Sequence, residues 1–300
     1  MELRVLNYFL TVVREKNISR AAEVLHVSQP TLSKQLNELE TELGVTLFIR
    51  GNRYITLTES GVYLKKRSEE ILSLVSQTES NLKINDIIGG TLSIGGGETI
   101  LFKLIAEVVD ELLAIYPDIN TQLYSGNFDD ISEKIDRGLL DFALVIDPVE
   151  KLKYESLQLP YSDTWGILVN KNHSLANKSY ITANDLFNVP LFSSNQSLMN
   201  HQLYNWFGNK KNHLNITGHY NLLYNASLLS DVGNIAVLCI DGIINTAGTN
   251  LKFIELFPKM TSPVYLIWKK DVVLSNISNL FLKNLKIKIE CLEKADKSYE

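Results

Sequence analysis

Apolar residues at the start of the chain recur at helical spacing. Leu3, Leu6, Leu10 and Val13, with Phe9 beside them, form a stripe that predicts a first helix, stopped at Asn17. Ser19 is placed to N-cap a second, short helix that ends near His26 and whose Ala21, Ala22, Val24 and Leu25 allow close helix approach. Ser28 is the expected N-cap of a third helix. Pro30 sits in its first turn, where a missing N–H costs nothing, Leu32, Leu36, Leu39 and Leu43 form the buried stripe, and Gly44 terminates it. LFIRGNRYITLT then reads as two short strands around Gly51 and Asn52, a hairpin. From Thr58 to about Asp86 a longer helix is predicted. Its Leu64, Ser68, Ile71, Val75, Thr78 and Leu82 fall at alternating steps of four and three, a seam suited to a partner helix or to the helix's own domain.

After IGG at 88–90 the pattern changes. TLSIGGG, INTQLYSG and LDFALVIDP read as strands, separated by the helical LFKLIAEVVDELLAIYP and DDISEKIDRG. WGILVN, VPLFSS, IAVLCI and VYLIWKK are further strands, with helices near 198–207, 223–231 and 276–291. Strands alternating with helices imply a parallel α/β sheet, and the remaining length implies two α/β lobes. The expected organisation is a helical module at 1–58, a linker or dimerisation helix at 59–87, and an α/β body at 88–300. Within that body, lobe 1 is expected at about 91–161 and 268–300 and lobe 2 at about 162–267.

The face of the third helix opposite the leucines carries Pro30, Ser33, Lys34, Asn37 and Thr41. Two helices joined by a turn at 26–28, the second with donors near its N-terminus, form a helix-turn-helix able to enter a DNA major groove. Gln29 can present paired donor and acceptor atoms to adenine, and Ser33 and Lys34 reach neighbouring edges or phosphates. Gln29, Pro30, Ser33 and Lys34 are the candidate base-facing residues. Arg20, Thr31, Arg50 and Arg53 are candidates for phosphate contact, with Ser28 both a cap and a phosphate contact. A plain three-helix domain with a solvated polar face is the competing interpretation.

Charge divides along the chain in the same sense. The net charge is −5, but residues 1–67 hold ten Lys and Arg against seven acids, leaving +3 there and −8 on the remainder. A hydrophobic share of 45% and a charged share of 21% are ordinary globular values, and 300 residues favour more than one compact unit.

SRAAEVLHVSQPTLSKQLNELETELGVTLFIRGNRYITLTESG, residues 19–61, resembles nearly position for position the winged helix-turn-helix of the LysR-type transcriptional regulators. Weaker similarities continue in YPDI at 116–119, GNFDDI at 126–131, GLLDFALV at 138–145 and NHSLA at 172–176, so the resemblance covers essentially the whole chain. Ser174 stands where proline is common, and Asn234 and Cys239 stand where Gly and Pro are usual. The resemblance implies a sequence-specific transcriptional regulator, dimerised through the linker helix. Its C-terminal domain would be similar to periplasmic binding proteins, with two lobes joined by strands crossing near 160–165 and 264–269. The implied partners are double-stranded DNA with a two-fold related operator, a small-molecule effector and a second copy of the chain, as homodimer or homotetramer. RNA polymerase is a further candidate partner.

Ligands in α/β lobes collect beyond the carboxyl ends of strands, where loops meet helix starts. Gly97, Thr99, Ser125, Asn127 and Asp147 on one side, and Ser193, Ser194, Tyr224 and Asn225 on the other, are the candidate effector contacts, Thr99 and Ser125 foremost by resemblance. Capping is the alternative for each alone. Helix starts favour a polar or anionic effector if Glu98 points outward, as assumed; a Glu98 carboxylate facing the cleft would repel an anion and favour a cationic or neutral one.

Other chemistry finds little footing. Cys239 and Cys291 form no CxxC, and the five histidines make no metal-ligand pair on a helix face. The Gly95–Gly97 run lacks P-loop and GxGxxG spacing, and no GxSxG occurs. No catalytic residue, metal or cofactor is expected. The start of the chain lacks signal-peptide character and no apolar run reaches membrane-spanning length, so a cytoplasmic protein is expected. The alternatives are a ligand-binding protein without a DNA role and an enzyme on the two-lobed fold.

Overall fold

The computed structural model describes residues 1–50, 54–82, 89–146, 153–194, 205–208 and 214–296. The chain divides into two compact units, Met1–Lys83 and Ile84–Glu300.

In the first unit, α1 (Leu3–Glu15) buries Val5, Leu6, Phe9 and Val12. α2 (Ile18–Val24) starts earlier than expected. Asn17, in extended conformation, accepts the Arg20 N–H on its side chain at 3.1 Å, so Asn17 and not Ser19 is the cap. His26 adopts a left-handed conformation in the turn that follows. α3 (Gln29–Leu43) is capped by Ser28, which accepts the Thr31 N–H at 3.3 Å, and it ends on Gly44 at φ +68°. Leu32, Leu36 and Leu39 are buried, but Leu43 is 38% exposed because the core ends one turn before the helix does. β1 (Phe48–Arg50) and β2 (Ile55–Leu57) pair antiparallel, with Arg50 opposite Ile55.

α4 (Glu59–Leu82) follows. Leu64 and Ser68 are buried, and Ile71 and Leu72 pack on the same cluster as Phe9 and Leu36. Half of the expected seam is therefore occupied by the helix's own domain. Val62, Tyr63 and Leu74 are exposed instead. Residues 83–88, into which the linker helix was expected to run, lie outside the described residues.

Among the described residues, the second unit is built on one nine-stranded sheet. β3 (Gly90–Gly96) lies parallel to both β4 (Ile119–Ser125) and β5 (Phe142–Ile146). α5 (Phe102–Ile115) and α6 (Phe128–Asp136) make the connections. β6 (Tyr154–Asn170) is continuous over 17 residues. In the second lobe β7 (Pro190–Ser194) lies parallel to β8 (Asn215–Tyr220) and β9 (Ala236–Ile240). α7 (Leu223–Val232) packs there with Ala226 and Leu223 inward.

β10 (Leu251–Glu255) and β11 (Thr261–Lys269) both pair antiparallel with β6, and α8 (Asn276–Asp296) returns to the first lobe. The sheet is therefore mixed: parallel within each lobe, antiparallel where the chain crosses. Tyr154–Thr164 of β6 pairs with β11, and Trp165–Asn170 pairs with β9 and β10, so one strand serves both lobes.

Each lobe has a core on either side of its sheet. Leu92, Ile94, Ile105, Phe142 and Phe281 centre the larger cluster of the first lobe, and Ile131, Ile135 and Ala143 the smaller. Ile167, Leu191, Ala236, Leu238 and Met260 centre the second lobe. Val264, Leu266 and Ile267 lie in the first lobe's clusters, because β11 pairs with β5 from Ala143 to Ile146. The second crossing thus precedes residue 264, earlier than the 264–269 expected, and 264–267 pack with the first lobe.

Candidate functional site

The N-terminal part of α3 presents its polar side chains to solvent. Arg20, Ser28, Gln29, Pro30, Thr31 and Lys34 are exposed and Ser33 is half-buried. Gln29 Nε2 donates to Ser33 Oγ at 3.0 Å, and the Ser28 and Thr31 hydroxyls share a bond of 2.7 Å. Lys34 lies 3.8 Å from Glu38 and Arg20 lies 3.9 Å from Glu15. Such exposed pairs are weak and can be exchanged for phosphate contacts. The Arg50 side chain and all of Arg53 fall outside the described residues.

A residue not singled out in the sequence holds the wing. Glu40, on the C-terminal half of α3, accepts the backbone N–H groups of Leu47 at 2.6 Å and Phe48 at 3.2 Å. Thr58 Oγ1 donates to the Thr46 carbonyl at 2.7 Å and accepts the Gly61 N–H at 3.0 Å. A Cβ on Gly61 would lie 2.2 Å from the Leu47 carbonyl oxygen, so α4 can start this close to the wing only at glycine. The wing is fixed at its base by both flanking helices. A lone Glu in a helical run carries no local sign of that role.

In the second unit, the loop after β3 reaches across to the other lobe. The Gly97 N–H donates to the Leu144 carbonyl at 3.2 Å. Thr99, almost fully buried, donates its hydroxyl to Asp163 Oδ1 at 2.7 Å and accepts the Leu101 N–H at 3.0 Å. Asp163 lies on β6 just before the segment that enters the second lobe, and it is 2% exposed. Burial pushes its carboxyl up to about 6, with the Thr99 bond acting in the opposite direction.

Glu98 does not point away from the cleft. Its carboxylate accepts the backbone N–H of Leu223, the first residue of α7, which has no side-chain cap of its own. That helix start attracts a carboxylate, and the chain supplies one. Tyr220 donates to the Leu238 carbonyl at 2.7 Å, and burial, then the nearby Cys239 and Glu98 groups, push its phenol well above the usual range.

The remaining candidates separate. Asn127 caps α6 by accepting the Asp130 N–H at 2.9 Å, and that helix carries Asp129 and Asp130 in its first turn. Ser125 is exposed at the end of an edge strand. Ser193 is completely buried within the second lobe's sheet, its hydroxyl donating to the Ser194 carbonyl at 3.4 Å, and Ser194 is half-buried. Tyr224 and Asn225 are exposed on the first turn of α7, where the Tyr224 carbonyl accepts the Ser227 hydroxyl. Asp147 lies outside the described residues. Among the described residues no group of three or more His, Cys, Asp or Glu is arranged to hold a metal, and no helix is long and apolar enough to cross a membrane.

Comparison with known proteins gives the family. Residues 3–62 match the model of the bacterial regulatory helix-turn-helix proteins of the lysR family, and residues 86–288 match that of the LysR substrate binding domain. The chain is 34% identical over 197 residues to the Hca operon transcriptional activator HcaR of Escherichia coli, covering 65% of each chain. It is 32% identical over 188 residues to the HTH-type transcriptional regulator YtlI of Bacillus subtilis, covering 62% of this chain and 60% of that one. These matches thus span less than two thirds of either relative. In fold it is similar to full-length CbnR, solved with its target DNA, at a TM-score of 0.75 and 20% identity over 95% of this chain and 99% of that one. With family models matched over both units, the second alone across most of the chain, the protein belongs to the LysR family of bacterial regulatory helix-turn-helix proteins.

Proposed function

We propose that this chain is a cytoplasmic, sequence-specific DNA-binding transcriptional regulator that works as a homodimer or homotetramer and responds to a small molecule bound between the two lobes. The observation that carries this is the solvent-facing N-terminal turn of α3, where Gln29, Ser33 and Lys34 offer donors and acceptors beside a wing tied to the same helix. Relatives described as transcriptional regulators, and the CbnR structure solved with target DNA, support it. In this reading residues 1–58 bind DNA, 59–87 link protomers and 88–300 sense the effector. Arg20, Thr31, Arg50 and Arg53 contact phosphate, and Ser28 and Pro30 shape the start of the helix. RNA polymerase is the further partner, and no catalytic step is assigned to the chain.

Footprinting the full chain on the DNA flanking its own gene tests the proposal. Protection should fall on two-fold related half-sites whose centres lie about 10 bp or a multiple of it apart. Gln29→Ala should weaken that site by roughly 1–3 kcal/mol and leave random DNA nearly unaffected. Absence of a protected site, or equal losses on both DNAs, would contradict base readout through α3.

A further inference from the structure

The open valences of the cleft decide what kind of molecule it can hold. Three groups there are suited to receive an anion: the Thr99 hydroxyl, the start of α7 and the start of α6. Each already has one donor committed within the chain. The single Thr99 hydroxyl hydrogen goes to Asp163 Oδ1. The Leu223 N–H at the start of α7 is taken by Glu98, and the Asp130 N–H at the start of α6 by Asn127. Two carboxylates in the first turn of α6 further oppose an incoming negative charge.

The buried side-chain atom left without a partner there is an acceptor. Asp163 Oδ2 is buried and no described donor reaches it, and no described Lys, Arg or His pairs with this carboxylate. A buried carboxylate oxygen without a partner is costly, so the site gains most from a donor that brings positive charge. Asp163 also stands where β6 passes between lobes, and the loop that binds it, residues 97–101, meets the second lobe at Leu223 and approaches Gly242 through Ile100. A group bound at Oδ2 would therefore be held at the junction of both lobes.

We propose that the effector is a small organic cation, an ammonium or amidinium, whose N–H groups donate to Asp163 Oδ2, with Glu98 acting as a built-in carboxylate that already occupies the anion position at the start of α7. The proposal rests on the reading of the second unit as an effector domain and names the charge class that this domain senses. It reverses the polar or anionic preference expected from the helix starts alone.

Calorimetry on the full chain tests it, with butylammonium and benzamidinium against butyrate and benzoate at equal ionic strength and pH 7.5. The cations should bind at least tenfold more tightly than the matched carboxylates, and Asp163→Asn should lose at least tenfold of that affinity while keeping its far-ultraviolet circular dichroism. If that variant fails to fold, Thr99→Val serves instead: freeing Asp163 Oδ1 should tighten cation binding several-fold. Glu98→Ala should let benzoate bind where it does not bind the natural chain. Tighter binding of the carboxylates, binding by neither class, or an Asp163→Asn variant with unchanged cation affinity would overturn the assignment. A footprint on DNA with the same preparation and no probe present reports on the regulator reading separately, because it does not depend on occupation of the cleft.

Discussion

Asp163 carries a pH dependence that can be measured without knowing any ligand. Its carboxyl is held at about 6 in the folded chain, against about 3.9 in an unfolded one. Between those values the folded state retains a proton that the unfolded state has released. Stability from this group is therefore fully present below pH ~4 and is lost as the pH rises through 6, to a total of about 3 kcal/mol. Denaturant unfolding of the natural chain and of Asp163→Asn should show the variant gaining relative stability across that window. A difference that stays flat from pH 4 to 7 would mean that Asp163 does not titrate there. Local chemistry was legible at this scale: Ser28 and Asn127 are caps, as Ser and Asn before a helical run suggest. Thr99, Glu98 and Asp163 were legible only in part, because their bonds close over 64 and 125 residues. No spacing rule reaches that far.

Among the elements, α4 divides its labour between two faces. Leu64 packs in one cluster with α1 and Ser68 is fully buried, whereas Val62, Tyr63 and Leu74 face solvent, with the Arg67 guanidinium 5.4 Å above the Tyr63 ring and paired with Glu70. If α4 joins protomers, the exposed face does so. Leu74→Glu should then lower the sedimenting mass to that of a monomer and leave helical content intact, whereas Leu64→Glu should unfold the first unit by burying a charge without a partner. A Leu74→Glu protein with the natural oligomeric mass would move the interface elsewhere. The four-three periodicity of the sequence marked apolar positions along α4 but not which neighbour claims them, since a stripe looks the same whether it meets its own domain or a second chain. For the same reason β8 and β10 were missed. NITGHY is an edge strand with half-buried alternate residues, and LKFIE is a short strand beside a long one, so neither shows a strong apolar run.

For the whole molecule, the distribution of charge bears on the proposed binding of DNA. The +3 of residues 1–67 is modest and the remainder carries −8, so non-specific attraction should be weak and each proposed phosphate contact individually visible. Replacing Arg50 by Ala should make the slope of log affinity against log salt shallower by roughly one for each site occupied, on specific and random DNA alike. An unchanged slope would take Arg50 off the phosphates. At this scale the succession of helical module, long helix and two α/β lobes was readable from changes of period, and the mixed direction of the sheet was not, because a strand's own sequence does not state which way its neighbour runs. The 17 residues of β6 carry a mechanical implication. A strand laddered along its length to one lobe and then the other resists being bent open like a hinge, since bending would break paired backbone groups on both sides. Torsion about its own axis only adds to or relaxes the twist that paired strands already carry, and so disturbs fewer of these bonds. The register shift of β11 between Pro263 and Tyr265 lies opposite Gln158–Ser162 of β6, just before the handover between lobes, and interrupts the ladder there. Occupation of the cleft should thus be expressed as a turn of one lobe relative to the other, a rotary output in place of a closing jaw.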